Sequence, residues 1–512
     1  MPLPTIIKEP SLWLTVSTIC FVWLLRKGTR RSGSKAPLPP GPSKLPLIGN
    51  VLDIRGRRMW EACMEWSRKY DSDVIHLSMA GTSVVVLSSL EAMEALLENR
   101  ASIYSDRPTI PILELMEWDF LIPTLRYGDE WRTQRRLMNQ HVNVSASKAF
   151  KPQITQAARA LLRRLLDAPD DFPAHIRVMA GEVIIPLAYG LPVVSTNDPY
   201  IALAEKAVKH GAQAAAAGTY LVNFLPILKH VPAWMPGAGF QRVAQRGREY
   251  SHAMRTVAFE ESKRRMGSGE LLPCFTANAL EAIDTADFAY DENTVRDVAA
   301  VMYAGGSDTT VAALATFFLA MLSNPDAQEK AQREIDAVVG PGRLPEFSSQ
   351  EALPYVTALV REVLRWKPVA PFAMPHFIGV EDEYSGYRIP AKSFVFPNVW
   401  AVLHDENVYP DPYTFRPERF LTEDGKLDPT IPDPTEVAFG LGRRSCPGRH
   451  LAELSIWIAV VSVLAVFDIK KKVGENGEVV EPSYEYTVGV ISEPEPFECS
   501  IKPRSEATAR LV

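Results

Sequence analysis

The ten residues Phe439-Gly-Leu-Gly-Arg-Arg-Ser-Cys-Pro-Gly448 constrain this chain more than any other segment. A cysteine set among glycines, arginines and a proline is a place where a thiolate can be held rigidly for a metal. The anion at Cys446 needs backbone donors, positive surroundings and little competing water if its pKa is to fall. Pro447 has the fixed φ of a first helical residue, and the apolar stretch from Leu451 to Phe467 reads as helix. Cys446 is therefore expected at a helix amino terminus, with N–H groups aimed at its sulfur. Gly440, Gly442 and Gly448 permit close backbone approach, and Phe439 can shield the sulfur from water. The plainer alternative is a buried structural cysteine beside a glycine turn.

Further motifs lie upstream. Glu362 and Arg365 stand three apart on one helix face, close enough to pair. A long apolar segment from about Val295 to Leu322, read as a central helix, contains Ala304-Gly-Gly-Ser-Asp-Thr-Thr310. Two mid-helix glycines cost about 2 kcal/mol against alanine, which a purely structural helix would avoid. Their expected use is space beside the backbone for a flat ligand, with a local widening of the helix baring a carbonyl. The alternative is a kinked core helix with ordinary hydroxyls.

Together these segments resemble the cytochrome P-450 family. The loop matches the family's Phe-x-x-Gly-x-Arg-x-Cys-x-Gly at every fixed position, and the general resemblance runs from about Pro37 to Pro496. It implies haem b with an axial thiolate from Cys446, and Phe439 against the ring. It implies that Arg419, in Phe415-Arg-Pro-Glu-Arg-Phe420, joins Glu362 and Arg365 in a buried cluster that supports folding and the haem loop. Over the distal face, Asp308 and Thr309 would organise water and deliver protons to dioxygen. Haem propionates prefer cationic or hydrogen-bonding partners. Trp131 and Arg135, which match the family's Trp-x-x-x-Arg, would reach one, with Arg444 and His376 as further candidates. The family often has arginine where this chain has His376.

The implied activity is insertion of one oxygen atom from dioxygen into a C–H or C=C bond of a lipophilic small molecule. Electrons would come from a membrane-bound NADPH-cytochrome P-450 reductase, with cytochrome b5 as a second candidate donor, because the chain shows no flavin or pyridine-nucleotide motif of its own. Arg132, Arg136 and Arg443 are candidates for docking an acidic partner. The pocket is expected from Thr109 to Pro123, Ala202 to Leu225, Ala300 to Ala304, Val369 to Ala373 and Val488 to Ile491, with Met116, Trp118, Phe120, Phe224 and Phe372 adding aromatic or sulfur surface. Tyr104-Ser-Asp-Arg-Pro108 and Asn398-Val-Trp-Ala401 look like microsomal fungal members that tailor terpenoids, polyketides or indole compounds. Two other classes remain open: a haem-thiolate isomerase or dehydratase, and a non-catalytic haem sensor.

Composition fits this reading. With 512 residues, 46% of them hydrophobic, and no linker or repeat after residue 45, one haem-centred domain is expected over residues 47 to 512. It should be mainly α with a minor β-sheet region, strands falling at Val74 to Leu77, Val84 to Leu87, Tyr387 to Ile389 and Phe394 to Phe396. Helices are expected at Glu91 to Asn99, Ser147 to Leu166 and Pro325 to Val339. A net charge of −6 gives no electrostatic case for nucleic acid. Five scattered cysteines suit a reducing compartment. Residues 1 to 30 read as a membrane anchor: the apolar run Leu12 to Leu25 is followed by Arg26, Lys27, Arg30 and Arg31, which should stay cytosolic and hold the domain on the cytosolic face of the endoplasmic reticulum. Fourteen helical residues reach only about 21 Å of a core about 30 Å thick, and a cleaved signal peptide is the competing reading. Residues 31 to 46, with Pro37-Leu-Pro-Pro-Gly-Pro42, form the expected stiff hinge.

Overall fold

A computed structural model describes residues 36–194, 198–215, 220–223 and 225–512. The anchor at residues 1 to 30 and the pocket candidate Phe224 lie outside the described residues. Among those described, the longer helices are α1 (Met59–Tyr70), α2 (Asp129–Val142), α3 (Lys151–Asp167), α4 (Phe172–Tyr189), α5 (Pro199–Ala215), α6 (Gly239–Ser268), α7 (Glu292–Ser323), α8 (Pro325–Val339), α9 (Pro354–Trp366) and α10 (Arg449–Val466). The strands are β1 (Val74–Met79), β2 (Thr82–Leu87), β3 (His376–Ile378), β4 (Asp382–Tyr384), β5 (Tyr387–Ile389), β6 (Ser393–Pro397), β7 (Phe467–Lys471) and β8 (Cys499–Pro503). A mainly helical fold with small sheets follows, as the pattern of apolar periodicity predicts.

The centre of the molecule is α7. Its start is fixed by Asp291, whose Oδ1 accepts from the Thr294 N–H at 2.8 Å. Nearly every residue from Val295 to Leu322 outside the 304–309 turn is buried, with α4, α10 and α9 packed around it. Phe318 meets Phe172 at 5.1 Å between ring centroids, and α10 buries everything from Ser455 to Val466. Burying each such Leu, Val, Ile or Phe contributes roughly 1.5–3 kcal/mol, so these helices hold the cavity walls firmly. Both α7 and α10 are long and apolar enough to cross a membrane, yet 72% of each apolar window is buried inside the protein, as expected of core helices.

The larger sheet runs β1-β2-β6-β3, with β1/β2 antiparallel, β2/β6 parallel and β3/β6 antiparallel. β4 pairs with β5 and β7 with β8. The proline segment bridges β1 and β5: the His76 N–H donates to Pro40 O at 2.9 Å, and Arg388 N–H to Pro37 O at 2.7 Å. Gly41 is required there, because a Cβ would stand 2.2 Å from His76 O.

His76 also gives this corner a pH dependence. Burial, then the charges of Lys44 and Arg388, lower its pKa from 6.5 to about 4. The unfolded chain takes up that proton first, so stability should be lost as pH falls from about 6.5 to about 4. His76→Asn should flatten the melting temperature against pH over this range; an unchanged slope would contradict it.

Several local expectations need correction. Residues 90–98 are not one α-helix: a single α-turn at Leu90–Met93 runs into a π-turn at Glu94–Glu98, with Asn99 N–H reaching Glu94 O at 3.0 Å. The helix expected from Ser147 to Leu166 breaks at Phe150, because Pro152 at its second position starts a new helix. Pro447 is not the first helical residue, since α10 begins at Arg449 after Gly448. Finally, α7 stays α-helical through 304–310 with no widening. Thr309 Oγ1 donates to Gly305 O at 2.7 Å, so that carbonyl gains a partner within the intact helix.

Candidate functional site

A cavity of about 450 Å³ lies between α7 on one side and the 439–448 loop with α10 on the other. Of the four described cysteines, Cys446 alone lines it. The loop presents the sulfur by backbone geometry. Gly440 and Gly442 adopt φ of 72° and 62°, and a Cβ on Gly442 would stand 2.4 Å from Leu97 O. The Cys446 N–H donates to Phe439 O at 2.7 Å and closes the turn. Burial pushes the thiol upward, while the Gly448 N–H, the Arg135 guanidinium and the Arg449 N–H pull it down. The expected N–H donors are therefore present although the helix starts later.

Across the cavity, the two glycines of α7 do different work. Gly305 faces open space, so the backbone itself forms the wall. Gly306 lets α4 approach: a Cβ there would stand 2.7 Å from Ile184 Cγ1. Thr309 lines the cavity, but Asp308 turns away from it, its Oδ1 accepting from Arg177 NH1 at 2.5 Å. Burial raises the Asp308 carboxyl, and Arg177 draws it back down. Arg177 is also 3.7 Å from Glu205, so the acid sits at the inner end of a chain of charges leading outward through α4 and α5.

The basic side of the cavity gathers the anchor candidates. Trp131 is 5% exposed, and its Nε1 has no hydrogen-bond partner among the described residues. Arg135, one turn further along α2, is lowered by burial and raised by Cys446. Arg444 lies 4.4 Å from the Trp131 ring and uses three of its five N–H groups on Ser105 O, Ile122 O and Leu125 O at 2.8 to 3.0 Å, so it ties the segment 105–125 to the loop. His376 Nδ1 meets Tyr104 O at 2.7 Å; a carbonyl only accepts, so Nδ1 carries the proton and Nε2 keeps a lone pair. Burial, then Arg107, hold its pKa well below 6.5, so His376 serves a carboxylate only if that carboxylate first restores its charge.

Sequence reasoning missed Arg107. It is buried, lines the cavity, donates to Met374 O and Pro375 O at 2.7 and 2.8 Å, and leaves Nε without a partner. Burial lowers its pKa to about 9. The signal was its place in Ser-Asp-Arg-Pro, an arginine held between an acid and a proline, but nothing local said which way it pointed.

Of the pocket candidates, Trp118 lines the cavity, Met116 fills the space over Gly247, and Phe120 and Phe372 stack on Trp118 and Phe396. Behind the loop, Glu362 and Arg365 are fully buried and joined by two hydrogen bonds of 2.7 and 2.9 Å, with Arg419 Nε on Glu362 Oε1 at 3.1 Å. Arg365 reaches on to Leu403 O and Pro412 O, and Arg419 to Pro410 O and Thr414 O. One charge cluster thus gathers the segment 403–419, which precedes the loop in the chain.

Orphaned donors at Trp131 and Arg107, close to Arg135 and to a cysteine sulfur, fit an iron porphyrin with its two carboxylates. The cytochrome P450 family model matches residues 39–500. A cytochrome P450 monooxygenase of Postia placenta is 44% identical over 94% of each chain. One of Rhodocybe pseudopiperita is 41% identical over 93% of this chain and 92% of its own. A tryptamine 4-monooxygenase of Psilocybe cyanescens is 38% identical over 96% and 97%. The chain belongs to the cytochrome P450 family. It is a haem-thiolate monooxygenase that uses dioxygen, a redox partner and a lipophilic substrate.

The unpartnered Trp131 N–H gives a direct test. A hydrogen bond to a charged acceptor contributes about 1.5–3 kcal/mol, or roughly a 10- to 100-fold change in retention. Trp131→Phe should lose haem that much faster to an excess of an apo-globin acceptor; an unchanged transfer rate would contradict the assignment.

Proposed function

We propose that Cys446 is the thiolate ligand of the haem, that Trp131, Arg135, His376 and the newly found Arg107 hold its propionates, and that Asp308 and Thr309 supply protons on the opposite face. The carrying observation is that Cys446 and Thr309 line one cavity from opposite walls. The haem, when bound, supplies the redox chemistry of oxygen activation and atom transfer. The protein's own residues bind, orient and shield. Apolar walls from α5, α7 and the 113–123 segment exclude water and place a C–H bond. Thr309, hydrogen bonded back to Gly305 O, stands at the cavity edge as the last hydroxyl before the substrate. Asp308, one residue earlier, exchanges protons with the Arg177 and Glu205 side and hands them inward when it turns from Arg177.

The same reading puts the protein on the endoplasmic reticulum membrane, in fungal secondary metabolism, on a terpenoid, polyketide or indole compound. Support comes from its monooxygenase relatives in three fungi and from apolar side chains left in water. Leu221, Ile227 and Trp234 are 71%, 74% and 80% exposed, and Leu47, just after the proline segment, is 63% exposed. Such residues suit contact with a bilayer beside the anchor. For the reductase, Arg132 and Arg136 are half exposed but already paired with Asp129 and Asp287. Surface pairs of this kind contribute about 0–1 kcal/mol, so an acidic partner can exchange them.

The test is reconstitution with an NADPH-cytochrome P-450 reductase, NADPH, isotopically labelled dioxygen and a panel of lipophilic metabolites. Mass spectrometry should find one labelled oxygen atom per product. Product carrying no label would favour an isomerase or dehydratase.

A further inference from the structure

Three buried donors on residues that line the cavity lack a hydrogen-bond partner among the described residues: Trp131 Nε1, Arg107 Nε and Trp118 Nε1. The first two belong to the basic side. Trp118 stands on a different wall, its indole edge against Gly211 of α5, where a Cβ would lie 3.2 Å from Cε2 and 3.5 Å from Nε1. Gly211 itself lines the cavity, so the wall beside this N–H is bare backbone.

Trp118 is also held in place. It is 3% exposed and stacks on Phe120 at 5.8 Å, and its own backbone N–H donates to Leu113 O at 3.0 Å. Glu117 before it takes a left-handed φ of 56°, a strained choice for a side chain with a Cβ. That turn is fixed by Ser251 Oγ donating to Glu117 O at 2.8 Å and by Arg248 on the Glu117 carboxylate at 3.2 Å. A fold that spends strain and four contacts to hold an indole, and then leaves its buried N–H unpaired on a residue that lines an apolar cavity, has a donor waiting for an acceptor.

We propose that Trp118 Nε1 donates a hydrogen bond to an oxygen of the substrate, which is therefore a neutral lipophilic molecule already carrying a hydroxyl, carbonyl or epoxide oxygen. This deepens the monooxygenase reading above and rests on it. Amines are disfavoured: no described lining residue is Asp or Glu, and the charged ones are Arg107, Arg135 and Arg444. The reaction served thus follows a step that has already left oxygen on the skeleton.

The experiment compares valencene with nootkatone, a hydrocarbon and a ketone of one skeleton, with tryptamine as a cation, each titrated into haem-loaded protein by calorimetry. Nootkatone should bind about tenfold more tightly than valencene, and tryptamine more weakly than either. In Trp118→Phe the preference for the ketone should vanish while valencene affinity stays within about twofold. Equal affinities of the wild-type protein for the pair would overturn the proposal without any variant, as would a preference that survives Trp118→Phe. The readout needs no turnover, so a wild-type protein that shows no ketone preference beside normal labelled-oxygen incorporation defeats the role of Trp118 and leaves the monooxygenase reading standing.

Discussion

Glu362→Ala should yield protein with little or no haem and a collapsed melting transition. The carboxylate is fully buried and accepts from Arg365 twice, from Arg419 Nε and from the Arg416 N–H at 2.8 Å. Removing it leaves the Arg365 guanidinium, itself 0% exposed, without its counter-charge. Breaking a buried pair from one side costs about 3–5 kcal/mol, against a total stability of about 5–15 kcal/mol. The damage is also directed. Arg365 and Arg419 hold the carbonyls of residues 403, 410, 412 and 414, so their release loosens the segment that leads into the Cys446 loop. A surface pair is the contrast: Glu406→Ala, which removes the partner of the half-exposed Arg68, should stay within about 1 kcal/mol. Haem-to-protein ratio and melting temperature measure both. Normal haem content in Glu362→Ala would show that the cluster does not support the loop.

Substitution of the acid and alcohol on α7 should separate electron use from product formation. Thr309→Ala removes only the hydroxyl at the cavity edge; its bond to Gly305 O lies within an intact helix, so folding and haem content should be normal. Asp308→Asn leaves a side chain of the same size beside Arg177 but takes away the titrating group. Positioned proton transfer contributes about 10²–10⁴-fold, so product formation should fall at least about 100-fold in Asp308→Asn. Thr309→Ala should continue to consume NADPH while releasing hydrogen peroxide in place of product. NADPH, peroxide and product measured together check this. A Thr309→Ala enzyme with unchanged yield per NADPH would remove the hydroxyl from the proton path.

What could be read from the chain divides along a physical line. Periodic apolar segments announced α7, α8 and the four strands to within a few residues, because burial of one face leaves a pattern that neighbours cannot erase. The loop at 439–448 and the Glu362, Arg365 and Arg419 cluster were visible because each uses residue types that few other arrangements need. The π-turn at 94–98 and the late start of α10 were not, since each turns on hydrogen bonds to one alternative carbonyl, whereas the break at Phe150 follows from Pro152 and was there to be read. Direction was the other hidden quantity. Arg444, named for a propionate, also clamps three carbonyls, and Asp308, named with Thr309 for proton delivery, pairs with Arg177. Arg107 went unseen for the same reason: a guanidinium's target is fixed by chain segments hundreds of residues away, here Met374 and Pro375.

The most direct test of a thiolate at Cys446 is the absorption of the reduced, haem-loaded protein under carbon monoxide. The wild-type chain should give the red-shifted Soret band typical of thiolate ligation, and Cys446→His, if it retains haem, should move the band to the position of a nitrogen ligand. A wild-type protein without that band, or a variant that keeps it, would contradict the assignment.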